Sequence, residues 1–498
     1  MNTRIATFAA LLAFSGVASG ALSGCAVGPD FVKPETATQP SFLGAGEAGA
    51  TATSGDVLQQ WWSHFGDKTL DSLIADAVRS NVDLRGAISR VNQARAIRRE
   101  KFLDLFPTVT SDLIYTRTQT PTQTFAGGAF PSSSPYIENE YYNVGLDAVW
   151  ELDIFGRVRR GVESKDAESA ASVAQLHDAV RILVAEVART YIDLRGTQLQ
   201  VSVSEKNAKT QEQVVKVAQA LFQGGQSTEF DVVRSRSQHS TTLATIPPLQ
   251  ARAKADMYRL AVLCGKQPQE LVPMLQATAP LPSFSGPLTI GDPATLLQRR
   301  PDLQAAEHQL HAATAGIGVA KGDLWPKITF SGSLGFQSSD WSGLSGREAG
   351  QYAVTPTLSW AAFNLGRVFA RIDQSEAAQQ QALAAYEQAV LIALEETEGA
   401  LVQFTSSKQR RDYLKDSVDQ SGKAVAIART QYENGLVDLL PVLDAQRALL
   451  SNQLQLAESE VGLLSSLVSL FKALGGGWND AISEVKSEEL SEASDDQG

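Results

Sequence analysis

Few side chains in this 498-residue sequence are placed to do chemistry, and the five histidines are the first to consider. His308 and His311 are three residues apart, so they would share one face of a helix and could bind a metal together. A structural zinc site needs about four ligands, and no cysteine or third ligand accompanies this pair. A solvated helix face therefore explains the two histidines better than a metal site does.

No other motif indicates catalysis. Gly316-Ile317-Gly318 follows no strand, so it does not fit a dinucleotide-binding loop, and it is more typical of close helix packing. No nucleophile lies in a recognised setting, and we expect no catalytic residue, metal ligand or cofactor. The formal net charge of -12 and the lack of a basic block argue against nucleic acid as a partner.

Two short polar motifs lie beside predicted helix turns. Thr228, with Asp231 three residues on, resembles a capping box at the start of a helix. Asp444 and Arg447 are also three residues apart, and on an exposed helix such a pair contributes only about a few tenths of a kcal/mol. From the residues alone, a structural role explains both motifs.

The N-terminus has the features of an export signal. Residues 5–17 form an apolar core that is too short to span a bilayer, and Leu22-Ser23-Gly24-Cys25 resembles the bacterial lipobox. That resemblance implies cleavage before Cys25 and a diacylglycerol on its thiol, and Ala26 favours delivery to the outer membrane. The alternative is an ordinary cleavage site with an incidental cysteine.

A very long helix dominates the middle of the sequence. Between Pro135 and Pro247 no proline interrupts the chain, and the stretch from Arg157 to Gln223 carries apolar residues at helical spacing. Gly224-Gly225 is a typical helix stop. Such a helix would be about 100 Å long at about 1.5 Å per residue, so it is either a coiled-coil arm or part of the wall of a long tube.

The sequence contains an internal repeat. Leu105-Phe106-Pro107 corresponds to Leu324-Trp325-Pro326 at an offset of 219 residues, because 326 minus 107 is 219. Phe155-Gly156-Arg157 corresponds to Leu365-Gly366-Arg367, where the offset is 366 minus 156, or 210. An insertion of nine residues between positions 110 and 155 accounts for the difference. Each half therefore contains a helix, two strands, a very long helix, a turn and a long helix.

The predicted strands cover residues of about 107–117, 140–152, 326–337 and 351–361, and apolar residues alternate with small or polar ones along them. Their length of about ten residues suits a tilted strand that crosses a bilayer. A small sheet packed on the helices is the alternative. Because closing a barrel takes about eight strands, four strands in a membrane would require several protomers to share one barrel.

The order of these features resembles the TolC/OprM-type outer-membrane factors, in particular the lipoprotein (NodT-like) branch of efflux channels. The motifs that carry the resemblance are Val27-Gly28-Pro29-Asp30-Phe31, Trp61-Trp62, Asp83-Leu84, the run from Trp150 to Arg157, Arg300-Pro301-Asp302-Leu303, and Leu443-Asp444-Ala445-Gln446-Arg447. The resemblance implies a mainly α fold with a membrane β-barrel. It also implies a homotrimer in which four strands per protomer form a twelve-stranded barrel above a periplasmic α-barrel.

The export signal, the composition and the internal repeat divide the sequence into five segments, and the resemblance implies a gate. The domains would be a signal peptide (1–24), a tether (25–60), a first repeat (61–270), a second repeat (271–478) and a disordered acidic tail (479–498). By similarity, Leu440 would form an apolar ring at the periplasmic gate, Asp444 a charged ring, and Arg447 would restrain Asp444. The repeat predicts two helix-turn-helix tips, at residues 223–231 and 433–444. Thr228 and Asp231 lie in the first tip, and in the other tip, which carries the gate, Pro441 suits the first helical position.

The function that the resemblance implies is passive export. The chain would be the outer-membrane exit duct of a tripartite efflux system, working with a periplasmic adaptor and an inner-membrane pump, most often of the resistance-nodulation-division type. The cargo would be drugs or other small toxic compounds, and the same duct could serve metal-ion or protein secretion. A surface-tethered coiled-coil structural lipoprotein is an alternative of another class.

Overall fold

The computed structural model describes residues 26–36, 39–48, 59–121, 136–286 and 288–478. The predicted signal peptide, Cys25 and the predicted acidic tail lie outside these ranges.

The chain divides into two compact units. Unit 1 consists of Met1–Pro34, Val91–Ser172 and Ala306–Tyr386, and unit 2 contains the remaining residues. The secondary-structure elements in chain order are α1 (Ala45–Ala48), a 3₁₀ helix (Trp61–Phe65), α2 (Lys68–Ser80), α3 (Val82–Leu103), β1 (Thr108–Pro121), β2 (Tyr136–Leu152), α4 (Arg157–Gln223), α5 (Glu229–Leu263), α6 (Val272–Leu275), α7 (Pro293–Arg299), α8 (Pro301–Gly322), β3 (Lys327–Ser338), a second 3₁₀ helix (Ser342–Ser345), β4 (Gly350–Ser359), α9 (Leu365–Glu433) and α10 (Leu439–Ala473).

The predicted long helix is confirmed, since α4 contains 67 residues and ends at the predicted Gln223. Its counterpart in the second repeat, α9, contains 69 residues. Each is followed by a tight turn and a helix of 35 residues, α5 in the first repeat and α10 in the second. Gly225 and Gly435 occupy the same place in the two turns, with φ of 72° and 70°, a conformation that favours glycine.

The four strands form one antiparallel sheet in unit 1 with the order β1-β2-β3-β4. Thr108 of β1 lies opposite Val149 of β2, and adding the offsets of 219 and 210 gives Lys327 opposite Ser359, which is a pair of the β3–β4 hairpin. The two hairpins therefore have the same register. The nine extra residues of the first repeat lie in its hairpin, and β1 and β2 are longer than β3 and β4.

The indole rings at the base of the two hairpins also make the same contact. The Nε1–H of Trp150 donates to the carbonyl oxygen of Leu105 at 3.0 Å, and the Nε1–H of Trp360 donates to that of Leu324 at 3.0 Å. The two repeats thus agree in side-chain contacts as well as in strand pairing.

One face of the sheet carries large apolar side chains that nothing in the described chain covers. Val354 is 70% exposed, Leu358 66% and Leu334 63%. A sheet packed on the helices would bury these residues, so the structure contradicts that alternative. Every residue of the edge strand β4 is exposed.

The junction between strand and long helix differs between the repeats. In the first, the Asp153 carboxylate accepts hydrogen bonds from the N–H groups of Val158 and Arg159 at 2.9 and 2.8 Å, which caps α4. The equivalent position before α9 is Phe363, whose side chain is fully exposed. A capping carboxylate in one repeat is thus replaced by an uncovered aromatic ring in the other.

The N-terminal segment packs closely on the rest of unit 1. Residues 26–36 contain no helix or strand, and the N–H of Val27 donates to the Phe155 carbonyl at 3.0 Å. Asp30 forms an ion pair of 2.6 Å with the buried Arg160. A Cβ on Gly318 would lie 2.8 Å from the Val27 carbonyl oxygen, so Gly318 permits the close approach of this extended segment as well as of α4.

The same segment accounts for His311, for which the prediction of a solvated helix face is wrong. The His311 ring stacks on Phe31 with 4.5 Å between centroids, and its Nε2 lies 3.0 Å from the Glu163 carboxylate. Helical periodicity does not show which extended segment will cover a face, and therefore the covering by Phe31 was not predictable. Within the described ranges, no three histidine, cysteine, aspartate or glutamate side chains are placed to hold a metal ion.

Unit 2 has the larger apolar core, built around aromatic rings and the end of α10. Trp61 stacks on Phe471 with 5.4 Å between centroids. The buried guanidinium of Arg300 pairs with Asp302 at 2.6 Å and Glu396 at 2.8 Å, and it donates to the Ala473 carbonyl at 3.0 Å. This last bond satisfies a carbonyl group at the C-terminus of α10, which has no partner within the helix.

Among the described helices, α10 is long and apolar enough to cross a membrane by length and composition alone. Near its C-terminus it buries Leu467, Leu470 and Phe471 in the core of unit 2. The core helix of a soluble protein passes the same test, so length and composition do not assign a membrane span to α10.

Candidate functional site at the hairpin tips

The first tip is the turn between α4 and α5. The Thr228 hydroxyl accepts from the Asp231 N–H at 3.4 Å, and the Asp231 carboxylate accepts from the Thr228 N–H at 3.2 Å. The structure therefore forms the predicted capping box. Burial alone would raise the pKa of Asp231, but hydrogen bonds from Thr228 and Ser227 outweigh it and lower that pKa. Asp231 thus remains ionised and holds the start of α5.

The second tip is the turn between α9 and α10, and here the prediction for Pro441 is wrong. The helix begins at Leu439, so Pro441 is its third residue rather than its first. The first four N–H groups of a helix have no partner within it, and proline is tolerated at any position of that turn. Asp438 precedes the helix without a side-chain capping bond, so this tip lacks the capping box of the first.

A small apolar core joins the two tips within unit 2. It contains Val214, Ala218, Val232, Ala428, Leu439, Val442 and Leu443. This core determines which leucine of α10 can face a channel, since Leu443 is only 1% exposed whereas Leu440 is 41% exposed. The leucine named from the family resemblance is therefore the accessible one.

Leu440, Asp444 and Arg447 are separated by four and three residues, so they share one face of α10. The Arg447 Nη1 lies 3.4 Å from the Asp444 Oδ1, and both side chains are more than half exposed. An exposed pair of this kind contributes between about 0 and 1 kcal/mol. The structure thus brings the three predicted gate residues together, although the ion pair itself is weak.

Arg447 makes its shorter contacts with the first tip. Its Nη2 and Nε donate to the Gln238 Oε1 at 3.0 and 3.2 Å, which connects α10 to α5. Sequence analysis missed Gln238, which is 209 residues away from its partner and has no local signal. These two hydrogen bonds from the guanidinium to one amide oxygen are shorter than its contact with Asp444. They therefore restrain the Arg447 side chain more than Asp444 does.

The match to a known protein family covers both repeats. The family model for the outer membrane efflux protein matches residues 73–266 and 293–476. The toluene efflux pump outer membrane protein TtgI of Pseudomonas putida is 31% identical over 464 residues, which are 92% of this chain and 96% of that protein. Nodulation protein T of Rhizobium leguminosarum bv. viciae is 30% identical over 460 residues, 92% of each chain.

Solved structures agree with the fold. The outer-membrane channel OprN is 38% identical, with a TM-score of 0.84 over 91% of this chain and 100% of that one. The open state of the MtrE outer membrane channel of Neisseria gonorrhoeae is 27% identical, with a TM-score of 0.80 over 91% of this chain and 99% of that one.

Proposed function

Because the chain belongs to the outer membrane efflux protein family and is the outer-membrane exit duct of an efflux system, we propose that Leu440, Asp444 and Arg447 form its periplasmic gate. Channels of this family are trimers with a shared barrel and a helical tunnel, so each protomer contributes four of twelve strands. Three copies of α10 then bring three copies of each gate residue around one axis.

The observation that supports the gate best is the exposed face of α10 beside a buried tip core. Leu443 and Val442 hold the helix in place, while Leu440 and Asp444 point away from that core. Three Leu440 side chains near the axis would exclude water. Three Asp444 carboxylates would repel one another, so the closed arrangement needs a neighbouring cation, and Arg447 is the candidate. The bonds from Arg447 to Gln238 hold that cation in position.

The proposal extends to partners and anchor. A duct without an energy source of its own depends on an inner-membrane pump, which we infer to be of the resistance-nodulation-division type, reached through a periplasmic adaptor. The thiol of Cys25 carries the lipid anchor. The lipobox-like run Leu22-Ser23-Gly24-Cys25 supports this anchor.

The cargo is a set of small apolar or toxic compounds that the pump delivers. This rests on relatives named for toluene and solvent efflux, whereas others are named for nodulation and pyoverdine export. These relatives have similar sequence identity to this chain, yet the cargoes in their names differ in chemistry. We therefore place cargo selection in the pump and passive passage in the duct, and we propose no reaction for the chain.

Single-channel recording in planar bilayers tests the gate. Leu440→Ala should raise the conductance of the closed channel, because it removes the apolar ring. Asp444→Ala should lower cation selectivity, because it removes three negative charges from the constriction. Leu436→Ala is the matched control for the first variant, since Leu436 is an exposed leucine in the turn outside α10. Asp231→Ala, which removes a cap, is the control for the second.

The gate assignment predicts a clear separation between these variants. If Leu440→Ala and Asp444→Ala channels conduct and select like the parent, while either control variant changes them, the gate lies elsewhere.

A further inference from the structure

The edges of the sheet in unit 1 show how one protomer meets the next. In the order β1-β2-β3-β4, β1 and β4 are the edge strands, and neither has a second partner among the described residues. A closed barrel has no edges, so β4 of one protomer must pair with β1 of its neighbour in the trimer. The trimer is the assembly on which the proposed function rests.

The protomer contains a template for this junction. The β2–β3 contact joins the second strand of one repeat to the first strand of the following repeat, and β4 to the neighbour's β1 is a contact of the same kind. The two hairpins share one register and one indole contact, so the offsets of 210 and 219 relate their residues throughout. Applying these offsets to the β2–β3 pairs therefore yields the pairs between protomers.

We propose that Leu358 lies opposite Leu113 of the neighbouring protomer, and Thr357 opposite Ile114. The first pair derives from Ala148 opposite Gly332, and the second from Asp147 opposite Ser333. The partner is a second copy of this chain, and every other pair of this junction follows from the same register.

The faces of the sheet to which these side chains point agree with this register. Leu113 lies opposite Val144 in β2, on the apolar side of the sheet, and Leu358 lies opposite Ile328 on that same side. A slip of one residue would place Leu358 against Asp112 or Ile114, whose side chains point to the other face. The register therefore joins one apolar surface across the boundary between protomers.

The helices adjoining the strands in unit 1 supply a further pair between protomers from the same offsets. Within the protomer, the Glu163 carboxylate of α4 lies 3.0 Å from His311 of α8. The same offsets place Asp373 of α9 against Asn92 of the neighbour's α3, and both residues are exposed in the isolated chain. The residue types have changed from glutamate and histidine to aspartate and asparagine, yet a carboxylate acceptor still meets a nitrogen that can donate.

Cysteine cross-linking of the full chain in membranes tests this register. Paired residues of antiparallel strands have Cα atoms about 4.5–5.5 Å apart, within the range of a disulfide, whereas residues two positions off are about 7–8 Å apart. The in-register variants are Leu358→Cys with Leu113→Cys, and Thr357→Cys with Ile114→Cys. The off-register control is Leu358→Cys with Ser111→Cys. Burial raises the pKa of the Cys264 thiol to about 11, so this native cysteine should not interfere.

After mild oxidation, denaturing gels without reductant should show linked dimers and trimers for at least one in-register pair. The yield should be at least about tenfold above that of the off-register pair and of each single variant, because only the paired positions satisfy disulfide geometry.

Preferential linking of the off-register pair overturns the proposal, and so does the absence of linking at both in-register pairs in a trimer that light scattering shows to be intact. In both cases the protein is still a conducting trimer. The proposed duct function therefore holds even though the proposed register is wrong. A parent protein that is not a trimer would overturn the register and the proposed duct together.

Discussion

Replacing Val354 by arginine should destabilise the barrel because it places a charge among lipid chains. Val354 is the fifth of the ten residues in β4, it is 70% exposed, and Gly332 lies opposite it without a side chain. At the bilayer midplane an arginine on the lipid face costs about 2–4 kcal/mol. Three copies per trimer would together cost roughly 6–12 kcal/mol if the protomers contribute independently.

The position of the substitution along β4 should determine the size of the loss. Leu358 faces the same side but is the ninth residue of the strand, two residues before Trp360, whose ring is typical of the membrane interface. Leu358→Arg should therefore cost only about 0–1 kcal/mol. Thr355→Arg is the control at matched depth, since Thr355 follows Val354 and points to the lumen.

The measurement is the unfolding free energy of the trimer, from denaturant titration of protein in lipid vesicles, with heat-modifiable gel migration as the readout. Equal destabilisation by Val354→Arg and Thr355→Arg would show that the assignment of faces is wrong. If Leu358→Arg lowers the unfolding free energy as much as Val354→Arg does, the assignment of faces remains valid. The predicted depth of these two residues in the bilayer is then wrong.

Two further predictions concern the anchor and the core of unit 2. Cys25→Ser should abolish labelling by radioactive palmitate, and equal labelling of the variant would refute the lipid on Cys25. Arg300→Ala should lower the unfolding free energy by about 1–3 kcal/mol, because it leaves the Ala473 carbonyl without its donor and removes the shared partner of the partly exposed Asp302 and Glu396. Arg259→Ala, which removes an exposed ion pair, should cost about 0–1 kcal/mol. Similar denaturant midpoints for these two variants would contradict the role of Arg300.

Features with a local signal were predictable from the sequence. The long helix from Arg157 to Gln223 has an uninterrupted helical pattern and a glycine stop, and the strands have alternating patterns. The capping box of Thr228 and Asp231 involves residues three positions apart. Each of these depends on neighbours within a few residues, so periodicity and residue type are sufficient to detect it.

Features that join distant segments were not predictable. Gln238 restrains Arg447 from 209 residues away, and Phe31 covers His311 from the N-terminal segment. The choice between Leu440 and Leu443 as the exposed leucine depends on a core shared by four helices, which no single helix pattern reveals. The error at Pro441 is local, since a proline marks the first turn of a helix without identifying its first residue.

The matching registers of the two hairpins make every position in one repeat an internal reference for the other. Where the two repeats agree, as at Trp150 and Trp360, a trimer presents six equivalent sites around its axis. Where they have diverged, as at the capping Asp153 and the uncovered Phe363, six sites become two alternating sets of three. Divergence after duplication thus converts a nearly hexagonal surface into a triangular one, and the positions of Asp153 and Phe363 show where that symmetry is lost.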